Sequence, residues 1–344
     1  MMMRRPDAVT HEFQEAPAAL RRQSELIAHA LAELVGHLQR RPPNLVMTCA
    51  RGSSANAAVF GKHLIERWLG IPVAAAAPNI ATIYRKRLRL SGQLFLSVSQ
   101  SGRSDDLIEA ASLAKAAGAL TAAIVNDVDS PLAAASDIVL PMGAGPESGI
   151  AATKTFVATL AALLRLAGAW AGEGELATAV ARLPDRLSSA AELDWRAGLP
   201  LLSEAESVIA IGRGPTLAIA REAALKLKEG CDLHAEAFSG AEFLHGPIAL
   251  VSAGYPVLIF LPTDAAAGGL RELSEILSRK GAAVLCAGCM QNGAIALPVL
   301  QGDHPETDCV CLIQSFYRFL GELAVVRGVD LEKPRHLQKI TRTK

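Results

Sequence analysis

A repeat constrains this chain more than any other feature. "LVMTCARGSS" (45–54) is a strand-like run ending in Arg51-Gly52 and small polar residues. "SVIAIGRGPT" (207–216) has the same pattern and ends in Arg213-Gly214, 162 positions further on. "LFLSVSQSG" (94–102) is matched by "PVLIFLPTD" (256–264), with Val98 and Phe260 again 162 apart. Helix-like "LIEAASLAKAAGA" (107–119) is matched by "LRELSEILSRKGA" (270–282), where Gly118 and Gly281 lie 163 apart. "LTAAIVN" and "AVLCAGC" follow as the next strands. A length of 344 residues suits about two domains at roughly 150 residues each. The chain therefore reads as two copies of one α/β unit, joined by a polar, helical stretch within 172–200. Each copy runs strand, helix, strand, helix, strand, which implies a mostly parallel sheet with helices on both faces.

Composition agrees with layered helices and sheets. Half of the residues are apolar (51%) and only 4% are aromatic, so Ala, Val, Leu and Ile fill the core. Lys plus Arg equals Asp plus Glu, 34 each. A net charge of zero gives no long-range pull toward nucleic acid or an anionic membrane. The opening "MMMRRPDAVTHEF" has no apolar core of the signal-peptide kind. "FVATLAALLRLAGAWAG" is broken by Arg165 and reads as a buried helix rather than a membrane span. A cytoplasmic protein with free thiols is expected. Cys286-x-x-Cys289 with Cys309-x-Cys311 has the ligand count of a zinc site. Core packing is the favoured reading, because Cys286 ends a strand-like run and "DCVCLI" reads as a strand pointing both of its cysteines inward.

In an open parallel sheet, ligands bind beyond the carboxyl ends of the strands, at helix N-termini that favour anions. Loop 99–104 lies at such a place. Ser99, Ser101 and Ser104 offer hydroxyls, Gln100 an amide, and Gly102 lets the backbone come close to an anion. Ser53 and Ser54 follow the preceding strand of the same copy. Serines also cap helices and turn chains without any ligand. Yet the second copy's equivalent loop, "PTDAAAGG", has lost most of the hydroxyls, an asymmetry that a single phosphate site explains.

The second copy carries the ionisable groups. Glu222, Lys226 and Glu229 fall on one helical face, as a solvated salt-bridged surface also would. His234, Glu236, Glu242 and His245 follow. Glu242-x-x-His245 has the spacing of a metal pair. Gly240 interrupts any helix there and Gly246-Pro247 ends it, so proton transfer by a carboxylate and a histidine is the alternative. No metal and no organic cofactor is expected. In the basic C-terminus, Leu331, Leu337 and Ile340 are spaced to pack the tail down and fix Lys339.

"SVSQSGRSDD", "AATKTF", "EAALKLKEGCDLHAEAF", "EFLHGPIAL" and "DLEKPRHLQKIT" resemble the tandem sugar-isomerase (SIS) domains in the isomerase half of glucosamine-6-phosphate synthase. The match covers nearly the whole chain, including the entry segment "HEFQEAPAALRRQ". The resemblance implies two tandem doubly wound, flavodoxin-like parallel-sheet domains. They would follow an N-terminal helical segment (1–40): a first SIS domain (41–172) with the sugar-phosphate loops, a helical linker (173–200), a second SIS domain (201–329) with the catalytic residues, and a tail (330–344). It assigns Ser99, Gln100, Ser101 and Ser104 to the sugar phosphate, with Ser53 and Ser54. Glu229 falls on the family's C1–C2 proton carrier and Lys226 on its imine-forming lysine. His245 falls on the ring-opening histidine, which comes from the partner subunit and so implies a homodimer. Lys339 falls on the C-terminal active-site lysine.

Departures from the synthase pattern bear on the reaction. No cysteine precedes Cys49 and about forty residues precede the repeat, which leaves no expected glutaminase. The loop Gly102-Arg103-Ser104-Asp105 is closer to free-standing SIS-type deaminases. The expected activity is a glucosamine-6-phosphate deaminase, giving fructose 6-phosphate and ammonia. The alternatives are action on another 6-phosphosugar amine, such as galactosamine 6-phosphate or fructosamine 6-phosphates, and a non-catalytic sugar-phosphate sensor. A sensor would not need Lys226, Glu229, His245 and Lys339 together.

Overall fold

A computed structural model describes residues 11–288, 293–332 and 335–336. Each repeat copy forms one five-stranded sheet with every strand pairing parallel. The first sheet contains β1 (Val46–Ala50), β2 (Val73–Ala75), β3 (Leu94–Ser99), β4 (Leu120–Val125) and β5 (Ile138–Pro141), in the order β2-β1-β3-β4-β5. The second contains β6 (Ser207–Gly212), β7 (His234–Ser239), β8 (Pro256–Phe260), β9 (Ala283–Ala287) and β10 (Ala294–Leu297), in the order β10-β9-β8-β6-β7. Counted within its own copy, the second sheet repeats the order of the first, strand two beside strand one, then three, four and five. The repeat read from the sequence is thus a repeat of topology, two doubly wound sheets of the flavodoxin-like order.

β3 is buried at every position, as a central parallel strand covered on both faces must be. Its partners are in register so that Ala50 lies opposite Val98 and Val98 opposite Ile124. The carboxyl ends of β1 and β3 therefore finish side by side. The helix Lys154–Ala171 packs on the helix Gly52–Leu69 so closely that a Cβ on Gly61 would stand 2.9 Å from Leu163 Cδ2. Around the second sheet, Trp195, Phe260, Phe316 and Phe319 form a cluster of tilted and edge-on rings. Trp195 Nε1 donates to Pro298 O at 2.7 Å.

The chain divides into two compact units. One comprises Ala18–Glu147 with Lys154–Ala181 and holds the first sheet. The other holds the second sheet and is built from Arg182 onward, Ser148–Thr153 and the residues before Ala18. Within this second unit the buried Glu12 carboxylate accepts N–H bonds from Ser148 and Gly149 and the Ser148 hydroxyl. Two helices, Lys154–Ala171 and Pro305–Arg327, are long and apolar enough to cross a membrane. Most of each is buried inside the protein, as in a core helix.

Three local expectations are corrected. Cys309 and Cys311 lie on the helix Pro305–Arg327, not on a strand. That helix is buried on nearly all sides, so the apolar period that separates helix from strand is lost there. "APAALRRQSELIAHALAELVGHLQ", whose pattern reads as one amphipathic helix, is two helices, Ala16–Leu26 and Ala28–Arg40, with Ile27 between them. Gly240 opens the short helix Gly240–Leu244 instead of interrupting one.

Candidate active site

In the first copy, β1 ends at Ala50. Arg51 is extended, and the helix Gly52–Leu69 begins at once with Ser53 and Ser54 in its first turn. β3 ends at Ser99, and the helix Asp105–Ala116 begins six positions past it. Between them, Ser99 Oγ accepts the Gly102 N–H at 3.1 Å and Ser101 Oγ accepts the Arg103 N–H at 3.3 Å. Gly102 has a φ of +62°, and a Cβ there would fall 2.1 Å from Ser130 Oγ. Only glycine fits this turn. Ser104 stands at the N-cap of the helix, yet its hydroxyl makes no capping bond. Ser53, Ser54 and Gln100, all half-buried, likewise make no side-chain hydrogen bond among the described residues. A purely capping role would consume these groups; here they stand open at the carboxyl ends of two adjacent strands.

An ion pair ties the two loops together, and sequence reasoning missed it. Arg51 Nε and Nη2 donate to Asp106 Oδ2 at 3.0 and 2.8 Å. Asp106 is buried and Arg51 half-exposed. The only sequence signal was the position of each residue beside a glycine-serine turn. Burial pushes the nearby Cys49 thiol up to about 12, with the Asp106 charge adding to the effect.

The second copy shows how the same position looks without free hydroxyls. Thr216, the counterpart of Ser54, is fully buried. Its Oγ1 accepts the Arg213 N–H at 3.0 Å and donates to Phe260 O at 2.8 Å. The turn before it is tight: a Cβ on Gly212 would lie 2.2 Å from Thr216 O.

Glu222, Lys226 and Glu229 lie on the helix Thr216–Cys231. Lys226 is 1% exposed and Glu222 fully buried, so this face is not the solvated surface that its spacing also allowed. Lys226 Nζ donates to Glu229 Oε2 at 2.5 Å and lies 3.5 Å from Glu222 Oε1. Glu229 keeps 21% of its side chain open. A lysine shared by two carboxylates, one sealed and one open, holds the open one in a fixed orientation. Leu331 is buried and presses on Gly230, where a Cβ would come within 2.6 Å of Leu331 Cδ2. The start of the C-terminal tail is thereby pinned next to Glu229.

His245 follows the helix Gly240–Leu244 and is exposed, with no side-chain partner among the described residues. His234 and Glu236 are exposed on β7, and Glu242 is exposed on the short helix. Among the described residues no three such side chains form a metal-holding group. Lys339 and Cys289 lie outside the described residues.

The SIS domain family model matches residues 42–169 and 201–297. A glutamine–fructose-6-phosphate aminotransferase (isomerizing) of Pseudomonas syringae pv. tomato is 33% identical over 95% of this chain and 57% of its own length. That of Caulobacter vibrioides is 32% identical over 86% of this chain and 51% of its own. The chain thus spans about half the length of the curated relatives it matches. A crystal structure from Silicibacter pomeroyi DSS-3, designated a phosphosugar isomerase, is 40% identical with a TM-score of 0.91, covering 94% of this chain and 99% of that one. The C-terminal domain of glucosamine-fructose-6-phosphate aminotransferase from Francisella tularensis is 25% identical with a TM-score of 0.86, covering 96% and 99%. A glucosamine-6-phosphate deaminase from Thermotoga maritima, 24% identical with a TM-score of 0.76 over 98% of this chain and all of that one, shares the fold.

Proposed function

Because this chain belongs to the SIS domain family, and its relatives are sugar-phosphate isomerising proteins, we propose that it is a glucosamine-6-phosphate deaminase. The observation that carries the reading is the pairing of open Glu229 with buried Lys226; in the first copy the hydroxyls of Ser53, Ser54 and Ser104 make no side-chain hydrogen bond among the described residues.

In this reading Ser53, Ser54, Ser99, Gln100, Ser101 and Ser104 bind the substrate phosphate. Helix N-termini and hydroxyl donors suit it without a nearby cation. His245 gives a proton to the ring oxygen as the sugar opens. Its exposure on the single chain suits delivery to the active site of a partner subunit in a homodimer. Glu229 takes the C2 proton of the open aldose and returns it to C1. The electron pair of the C2–H bond forms a C1=C2 double bond as O1 takes up a proton; when C1 is then protonated the nitrogen gives up one N–H proton, so that C1 becomes CH2OH and C2 an imine. Water adds to that C=N bond, and its collapse expels ammonia and leaves the C2 ketone of fructose 6-phosphate. Lys226 holds Glu229 and can take the ketone carbon as an imine of its own before water releases it. Lys339 is assigned to the same chemistry. A general base of this kind contributes about 10²–10⁴-fold. The chemistry calls on no cofactor, since the C1 aldehyde oxygen itself accepts the electrons when the C2 proton leaves.

The test supplies purified protein with glucosamine 6-phosphate, and with galactosamine 6-phosphate in parallel, and measures ammonia and ketose phosphate. Release from the gluco substrate, lost in Glu229→Gln, upholds the proposal. Release from the galacto substrate alone moves the activity to another phosphosugar amine. Release from neither, with sugar-phosphate binding retained, points to a sensor.

A further inference from the structure

The second copy contains a cavity of its own, inside one unit, at the carboxyl ends of β8 and β9. It lies where the first copy carries its serine loop: Leu261 and Thr263 stand 162 positions after Ser99 and Ser101. The cavity holds about 200 Å³, room for roughly six or seven waters at about 30 Å³ each. Its polar wall is Arg186, Thr263, Arg271 and Asp308.

The charges in this wall are not balanced. Asp308 is buried, and its carboxylate accepts from Arg186 Nη2 at 2.8 Å, from Thr263 Oγ1 at 2.7 Å and from the Asp303 N–H at 3.0 Å. Those bonds use its acceptor capacity, so it fixes Arg186 rather than showing a bare negative charge to the cavity. Arg186 also donates to Gln301 O at 2.9 Å, and its Nε has no hydrogen-bond partner. Arg271, at the exposed edge, makes no ion pair or hydrogen bond among the described residues. Cys311 adds no negative charge, since burial pushes its thiol up to about 12. Two guanidinium groups thus face a cavity with one carboxylate already spent.

We propose that this cavity is a second ligand site, taking a small phosphomonoester through Arg186 and Arg271. Planar guanidinium groups suit a tetrahedral dianion, and the remaining wall, Leu261 among it, suits a short carbon tail. A site of this kind in the copy without the serine loop makes the protein responsive to a phosphorylated metabolite that its first copy does not consume. It stands independently of the role given to Ser99–Ser104.

The test is calorimetric titration of the full chain with inorganic phosphate and with fructose 6-phosphate at low ionic strength, where charge pairs are least screened. Two sites per chain are expected. Arg271→Glu, at an exposed position, should weaken one of them about tenfold or more and leave the other. Ser101→Ala should remove the other. A single site that vanishes in Ser101→Ala and ignores Arg271→Glu and Arg186→Gln overturns the inference while sparing the proposed function. A single site that vanishes in Arg271→Glu sustains the inference and removes the serine cradle instead. No phosphate binding to the wild type overturns it outright.

Discussion

Arg51 and Asp106 are 55 positions apart in the chain, yet two guanidinium nitrogens of the one meet a single carboxylate oxygen of the other. The pair fastens the turn after β1 to the helix that follows β3, so the serines on both sides hold one spacing. Arg51→Ala leaves Asp106 buried without its cation. We expect a stability loss of about 1–3 kcal/mol, read as a lower Tm. We also expect sugar-phosphate affinity to fall by about tenfold, because open hydroxyls that lose their spacing cannot converge on one anion. Arg51→Lys keeps the charge and should recover stability better than affinity, since a single ammonium cannot reproduce the two-point bond.

Lys226 sits between a sealed glutamate and an open one. Removing the lysine takes away the cation beside the buried Glu222, and Lys226→Ala should cost about 3–5 kcal/mol. Glu222→Gln combined with Lys226→Met should fold better than Lys226→Ala. It should still lack turnover, because the open carboxylate has lost the ammonium that orients it. Denaturant midpoints and ammonia release from the same two preparations separate the structural part of this lysine from the chemical part.

Much of this was legible in the sequence, and the limits have physical causes. The repeat was legible because a strand that must end at a glycine turn leaves a fixed local signature, and both copies kept it at Arg51-Gly52 and Arg213-Gly214. The serine loop was legible because three hydroxyls, Ser99, Ser101 and Ser104, fall within six residues at a strand end. The Arg51–Asp106 pair and the Glu12 clamp on Ser148 were not, since partners brought together by topology carry no local pattern. Cys309 and Cys311 were misread as strand residues because a helix buried all round shows no polar face to reveal its period. The cavity beside Arg186 was hidden for the same reason as the ion pair: its walls come from stretches far apart in the chain.

The buried thiols make a prediction for alkaline pH. Cys49, Cys231 and Cys311 are pushed up from 9.0 to about 12, in each case chiefly by burial. Unfolding frees a thiol to ionise near 9.0, whereas the folded thiol stays protonated until about 12. The unfolded state therefore binds fewer protons in that window. The stability these groups lend is complete below pH 9 and is lost as pH rises toward 12, at about 1.4 kcal/mol per pH unit for each thiol. In a Cys289→Ser background, a thiol reagent at pH 8 should leave the native protein unreacted and label it fully in denaturant. Rapid labelling of the native protein would show that these cysteines open to solvent.

Gly102 and Gly268 give a contrasting pair of substitutions, one in the turn after the first copy's third strand and one at the start of the helix that follows the second copy's third strand. Gly102 has a positive φ, and an added methyl would meet Ser130 Oγ at 2.1 Å and Ser130 Cβ at 2.5 Å. Gly268 lies in the first turn of the helix Ala267–Arg279 with nothing within 4 Å of an added Cβ. Gly102→Ala must move either the loop or Ser130, whose hydroxyl accepts the Ala133 N–H that starts the next helix. It should lower stability by about 1–3 kcal/mol and displace Ser101 and Ser104, so phosphate binding to the first copy falls with it. Gly268→Ala should be neutral or raise stability by up to about 1 kcal/mol, because it removes backbone freedom from the unfolded chain without strain in the folded one. Thermal melts with and without fructose 6-phosphate distinguish the two. If Gly102→Ala keeps the full ligand-induced shift, the sugar phosphate does not rest on the loop that Gly102 shapes.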